Sequence, residues 1–148
     1  MKKILLASLL MSSVSAYAQT VKKVIVEDFT GLWCPHCPKG TVILDGLEAS
    51  NPTNLIVIAN HNYAWNSPSA DQLTTTDGKT LADGLGTDNV GYPCGAIDRK
   101  KFSGETAIPV GRGQWTTYFN QRKAISAIVS VSIANRVKMP DGSYEADI

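Results

Sequence analysis

The sequence predicts an α/β domain, a mixed sheet flanked by helices, followed by the start of a second, β-rich unit. Three observations carry this. Residues 54 to 60, "NLIVIAN", are a continuous apolar run, as expected of a strand buried on both faces of a parallel sheet. A strand-like and then a helix-like segment precede it, so residues 21 to 60 read as one right-handed β-α-β crossover. After residue 127 the period changes to two, as in a half-buried strand.

Each element has its own signal. "VKKVIVEDF", residues 21 to 29, is rich in β-branched residues and reads as the first strand. Residues 34 to about 50 read as a helix, with Pro35 at or near its first position, where a proline is tolerated. Val42, Ile43, Leu44 and Leu47 give it an apolar face, and "SNP" ends it. Gly40 and Gly46 weaken that helix. Residues 61 to 91 are polar and Gly-rich, too long for a bare loop, so a short helix is expected near "GKTLADGLG" or else a functional insertion. "GYPCGAIDRKKF" reads as a turn into a strand at about 94 to 99. Trp115, Tyr118, Phe119 and Arg122 fall at helical spacing, so residues 112 to 125 form an amphipathic helix over the sheet. Val129, Val131 and Ile133 then alternate with serines, and "PDG" offers a hairpin turn before "SYEADI". An isolated hairpin is marginal in water. Residues 127 to 148 are therefore read as the start of a truncated, sandwich-like β-domain, with packing on the first domain as the alternative.

The N-terminus reads as a targeting segment. Lys2 and Lys3 precede a short apolar run, Ile4 to Met11, too short to span a bilayer. Ala16 and Ala18 give a small–x–small cleavage pattern. Residues 1 to 18 are thus expected to be a signal peptide of bacterial type, and cutting after Ala16 is the alternative. The expected location is the periplasm, or an outer-membrane or cell-surface association. No cysteine follows the cleavage site, so no lipid anchor is expected there, and no second apolar stretch has transmembrane length. Residues 19 to 126 form the main domain. Removing the two lysines takes the formal charge from +1 to −1, which gives no basic surface for nucleic acid or an anionic membrane.

The chemistry sits in "FTGLWCPHCPKG", residues 29 to 40. The chain has three cysteines, Cys34, Cys37 and Cys94, where an exported protein ordinarily has an even, paired number. A bond across the short Cys34–Cys37 loop constrains the unfolded chain weakly, which argues against a purely structural staple. At a helix start, unpaired N–H groups and the helix dipole favour an anion, so Cys34 is the candidate thiolate nucleophile. Cys37, one turn on, is placed to resolve a mixed disulfide, and His36 adds a positive charge beside Cys34. Stabilising the thiolate stabilises the reduced form and makes the disulfide more oxidising. Asp28 ends the first strand; with Glu27 beside it, one of the two points inward if the strand is regular, and two solvated carboxylates at a strand end are the alternative.

"DFTGLWCPHC" resembles the active-site segment of the thioredoxin superfamily, D-F-x-x-x-W-C-x-x-C, and Pro35-His36 is the dipeptide of the DsbA-type periplasmic oxidants. "GYPCGAID" resembles the family's G-x-P-T segment. The resemblance spans about residues 21 to 126 and implies a thioredoxin-like fold. It implies that Pro93 is cis and lies against the cysteine pair, with Tyr92 offering its backbone to a substrate strand. It implies that Asp28 is the buried aspartate that accepts the proton of Cys37. Trp33, Pro35, Tyr92 and Pro93 are then the substrate-binding residues. The redox-active Cys34–Cys37 disulfide needs no further cofactor and no metal, and the partners are protein or peptide thiols and disulfides, with a separate redox partner protein. "EDFTG…C-x-x-CP" after a signal peptide is closest to the secreted and outer-membrane-associated thioredoxin-like proteins of Bacteroidetes, which carry a β-sandwich-like domain behind the thioredoxin-like one.

Two departures and two other readings stand beside this. Cys94 occupies the place of the family's threonine and is either an auxiliary thiol or a small buried residue under the loop. Residues 61 to 91 are longer than the family's segment. Cys34, Cys37, Cys94 and His36 together have the chemistry of a Cu(I) or Zn site. His61 reads as a capping or satisfied polar residue. A non-catalytic surface or outer-membrane module with an inert disulfide is the remaining alternative, with Trp33, Tyr63, Trp65 and Tyr92 as an aromatic binding face. His36 and Asp28 favour the exported thiol–disulfide oxidoreductase, because an inert module needs neither a thiolate stabiliser nor a proton acceptor.

Overall fold

The computed structural model describes residues 20–63 and 71–147. The expected signal peptide and Trp65 lie outside the described residues. The chain divides into two compact units, one of which is Val21–Ser126 and the other of which includes Ala127–Ile148.

In the larger unit, β1 (Val24–Thr30) runs parallel to β2 (Leu55–His61), and the helix α1 (Cys37–Ser50) makes the crossover between them. The helix α2 (Thr76–Leu85) follows, then β3 (Cys94–Ile97), which pairs antiparallel with β1. β4 (Val110–Gly111) pairs antiparallel with β3 and leads into the helix α3 (Trp115–Lys123). The sheet order is β2-β1-β3-β4. This mixed sheet with helices on both faces is the thioredoxin-like fold.

Side-chain alternation divides β1 between two cores. Val24 and Val26 face Leu44 and Leu47 of α1 and Trp115 and Phe119 of α3. Phe29 faces the other way, with Cys94 and Ala96 of β3 and Ala82 of α2. Thr75 caps α2 through a bond from the Gly78 N–H to its hydroxyl (3.0 Å), and Gly86 closes that helix at φ +76°, where a residue without Cβ is at ease.

Three expectations are corrected. First, α1 begins at Cys37, with His36 as N-cap, so Pro38 rather than Pro35 lies in its first turn. Cys34 to His36 form a turn instead, in which the Cys37 N–H donates to the Cys34 carbonyl at 3.3 Å. Second, β2 is the edge strand of the sheet and is not covered on both faces. Leu55 is buried, but Ile56 and Ile58 are 42% and 47% exposed, because α2 packs on Phe29, Cys94 and Ala96 and meets β2 at Asn60, whose side-chain amide donates to the Gly78 carbonyl at 3.5 Å. Third, the alternating residues 129 to 133 are not a strand. Val129, Val131 and Ile133 are exposed, and the strand begins only at Ala134.

The hairpin itself forms further on. β5 (Ala134–Lys138) and β6 (Tyr144–Asp147) pair antiparallel around Pro140-Asp141-Gly142, with Gly142 at φ +89°. Asp141 Oδ1 accepts from the Ser143 N–H at 2.9 Å, and the Arg136 guanidinium lies 4.2 Å from the centre of the Tyr144 ring. β5 is exposed along its whole length.

Candidate redox site

The site is assembled where β1 ends. Residues 31 to 36 must turn from the strand into α1, and three contacts hold that turn. The Cys34 N–H donates to the Gly31 carbonyl at 3.0 Å. The Leu32 N–H donates to Asp71 Oδ2 at 2.7 Å. The Trp33 indole N–H donates to the Asn62 carbonyl at 2.7 Å, tying the turn to the end of β2. The indole folds back over the loop, and a Cβ on Gly31 would come 2.7 Å from its Cε2. That contact explains the glycine.

Cys34 and Cys37 are joined in a disulfide, their Cα atoms 5.5 Å apart. Both are buried, whereas Pro35 and His36 between them are exposed. Two cavities meet at this bond. An outer groove of about 630 Å³ is lined by Cys34, Pro35 and His36 on one side, and by Lys79, Asp83 and Asp88 on the other. Trp33 and Tyr92 form an aromatic end to it, edge to face with centroids 5.2 Å apart. An inner cleft of about 460 Å³ is lined by Cys34 and Cys37 together with Asp28 and His61. Cys34 therefore faces both cavities and Cys37 only the inner one.

Pro93 is buried, and its peptide bond with Tyr92 is cis. A Cβ on Gly40 would stand 3.1 Å from Pro93 Cγ and 3.0 Å from Trp115 Cη2. Gly40, read from sequence as a weak point of the helix, is where α1 closes on both neighbours. The Tyr92 hydroxyl is 3.0 Å from Thr87 Oγ1, and burial pushes it up to about 12.

The carboxylates at the end of β1 behave differently. Both Glu27 and Asp28 are buried, so neither is a solvated strand-end carboxylate, and the two have different environments. Glu27 is held bidentately by Arg99 at 2.7 and 2.8 Å. Asp28 faces the inner cleft, and its Oδ1 has no hydrogen-bond partner among the described residues. Burial raises its carboxyl from 3.8 to about 6, against the opposing pull of the His61 charge. The Cys94 thiol lies opposite Phe29 in the ladder, lines neither cavity, and is pushed up to about 12 by burial, with the charges of Asp28 and Asp88 adding to it. Among the described residues no three His, Cys, Asp or Glu side chains gather as a metal would need.

Sequence reasoning did not reach several residues around the disulfide. Asp71, fully buried, joins Leu32 to His61, whose Nδ1–H donates to Asp71 Oδ2 at 2.7 Å. Asn62 is buried at the groove, and neither atom of its side-chain amide has a partner among the described residues. No spacing or periodicity marks either position; only the fold brings them to the cysteines.

No protein-family model matches the chain, and no curated protein matches it. Solved structures do. A crystal structure of an Agrobacterium tumefaciens protein is 20% identical with a TM-score of 0.51, over 72% of this chain and 46% of that one, so the chain spans less than half of that protein's length. The germline-specific thioredoxin Deadhead (Thioredoxin-1) of Drosophila melanogaster is 11% identical with a TM-score of 0.42, over 78% of this chain and 90% of that one. The first likeness is one of fold.

Proposed function

We propose that this chain is an exported thiol–disulfide oxidoreductase that exchanges disulfides with protein or peptide substrates through Cys34 and Cys37. The observation that carries the reading is the placing of the disulfide between an outer groove and an inner cleft that holds a buried carboxylate. A substrate sulfur entering by the groove meets Cys34. In the reduced protein the Cys34 thiolate attacks a substrate disulfide, forming a mixed disulfide and releasing one substrate thiolate. Cys37 then gives its proton to Asp28 and attacks Cys34. The Cys34–Cys37 bond forms, the bond to the substrate breaks, and the second substrate sulfur leaves as a thiolate. Two electrons pass from the protein dithiol to the substrate disulfide. Run in reverse, the same steps oxidise a substrate dithiol, and a second redox protein restores the starting state in either direction.

His36, exposed beside Cys34, supplies charge that favours the thiolate. Trp33 and Tyr92 wall the groove against an incoming chain. The N-terminal lysines, apolar run and alanine pair support export to the periplasm or the outer-membrane surface.

The test is equilibration of the Cys34–Cys37 pair in glutathione buffers, with Cys94 changed to alanine, followed by turnover with a peptide disulfide and a dithiol donor. Exchange that is lost in Cys34→Ser, with a potential that falls in His36→Ala, is the expected result. A disulfide that equilibrates but never turns over a peptide would make the chain an inert module.

A further inference from the structure

The inner cleft contains a charge arrangement that the steps above leave unused. His61 ends β2 and lies on the same sheet face as Asp28, because Asp28 pairs with Ala59 and Thr30 with His61 in the parallel ladder. The two side chains thus stand on neighbouring strands, one step apart in register, and both line the cleft beside Cys34 and Cys37. His61 is held from behind. Its Nδ1–H donates to Asp71 Oδ2 at 2.7 Å. Asp71 is fixed in turn by the Leu32 N–H at 2.7 Å and the Leu73 N–H at 2.9 Å, and its side chain has no exposed surface. One carboxylate oxygen therefore grips both the histidine and the loop that delivers Cys34.

The remaining charges near Asp28 are all of the other sign. Asp45 and Glu48 line the cleft from α1 and Asp71 stands behind His61, while the Cys94 thiol, held neutral by burial, packs with Phe29 on the opposite face of the sheet. Among the described residues lining the cleft, His61 alone can carry a positive charge. Histidine is the side chain whose charge ordinarily changes near neutrality.

We propose that His61, gripped by Asp71, is a positioning residue for the exchange reaction: its positive charge keeps Asp28 a carboxylate when Cys37 must give up its proton. The inference rests on the oxidoreductase reading. It adds no atom to the balance of the reaction. Cys37 still loses its proton to Asp28 and its sulfur still bonds to Cys34. His61 sets the fraction of Asp28 that is ready to accept. Asp71 serves twice, orienting the ring and anchoring Leu32, so the charge and the nucleophile's loop are held by one buried group.

The experiment compares the wild type with His61→Gln, His61→Lys and Asp71→Asn in the full chain. The titration of the Asp28 carboxyl is followed by carbon NMR in the oxidised protein, alongside the pH profile of exchange with a peptide disulfide. His61→Gln is expected to move the Asp28 titration upward by about one pH unit, the order of the effect of a neighbouring unit charge in a partly screened site, and to move the exchange profile with it. His61→Lys is expected to restore both. Asp71→Asn should shift both as His61→Gln does, and in an Asp28→Asn background His61→Gln should leave the profile unmoved. Exchange that persists with an unmoved Asp28 titration in His61→Gln, or a lysine that fails to restore it, overturns the role of His61 alone. A wild type with no exchange at any pH removes the oxidoreductase reading, and the role of His61 with it.

Discussion

Replacing Asp28 by asparagine should make the oxidised protein more stable at neutral pH and leave it unchanged in acid. The carboxyl is buried, one oxygen is unpartnered among the described residues, and it titrates at about 6 in place of 3.8. A group whose folded value is raised contributes stability that is complete below the unfolded value and is lost as pH rises through the folded one. Below about pH 3.8 the protonated carboxyl therefore costs nothing. Above about pH 6 the folded state holds a charge that the unfolded chain holds more easily. The rise from 3.8 to about 6 corresponds to roughly 3 kcal/mol at about 1.4 kcal/mol per pH unit. The assay is urea unfolding of wild type and Asp28→Asn, both with the disulfide intact, at pH 3 and pH 7.5. Comparing the two pH values cancels whatever the amide costs by itself. The variant should gain about 3 kcal/mol between the two conditions. An equal difference between the proteins at both pH values would refute the buried, unpaired carboxylate, and with it the proton acceptor in the proposed exchange.

Gly40→Ala should destabilise α1 despite alanine's better helix propensity, by about 1–3 kcal/mol in thermal or urea unfolding, because the new Cβ meets Trp115 and Pro93 at 3.0 and 3.1 Å. Gly46→Ala, with open space around it, should gain about 0.5–1 kcal/mol in the same assay. Cys94, buried with its thiol pushed up to about 12, should resist alkylation in the native protein at pH 8 and react on unfolding; rapid native labelling would contradict its burial. Asp98→Asn should lower stability at neutral pH and become harmless in strong acid. Burial raises that carboxyl, but the Ile25 N–H, Lys22 and Arg122 together hold it below the usual range, so its contribution is present above the ordinary carboxylate value and fades as pH falls through the depressed one.

The strand–helix–strand frame was legible because its signals are local: β-branched residues in β1, apolar spacing in α1 and α3, and the "PDG" turn between β5 and β6. What was hidden depended on distant partners. A continuous apolar run looks the same in a central strand and in an edge strand with one bare face, so the position of β2 could not be read from Leu55 to His61. Alternation required one of Glu27 and Asp28 to face each side, yet both are buried, since Glu27 finds Arg99 across 72 residues of chain. The helix start was placed three residues early because Pro35 and Pro38 are equally acceptable in a first turn, and only the bond from Cys37 to the Cys34 carbonyl distinguishes them. The cysteines, Asp28 and the cis Tyr92–Pro93 bond could be anticipated from the resemblance. Asp71 and Asn62 could not, because isolated polar residues in a Gly-rich stretch carry no sign of what they will touch.

The unequal access to the two sulfurs has a kinetic consequence. With Cys34 open to the groove and Cys37 open only to the cleft, the proposed exchange would bond a visiting chain in one connectivity. In that exchange its release would be a first-order event inside the complex, set by the protein and indifferent to how much substrate surrounds it. Slowing that internal step would lengthen the life of the covalent complex without changing how often one is formed.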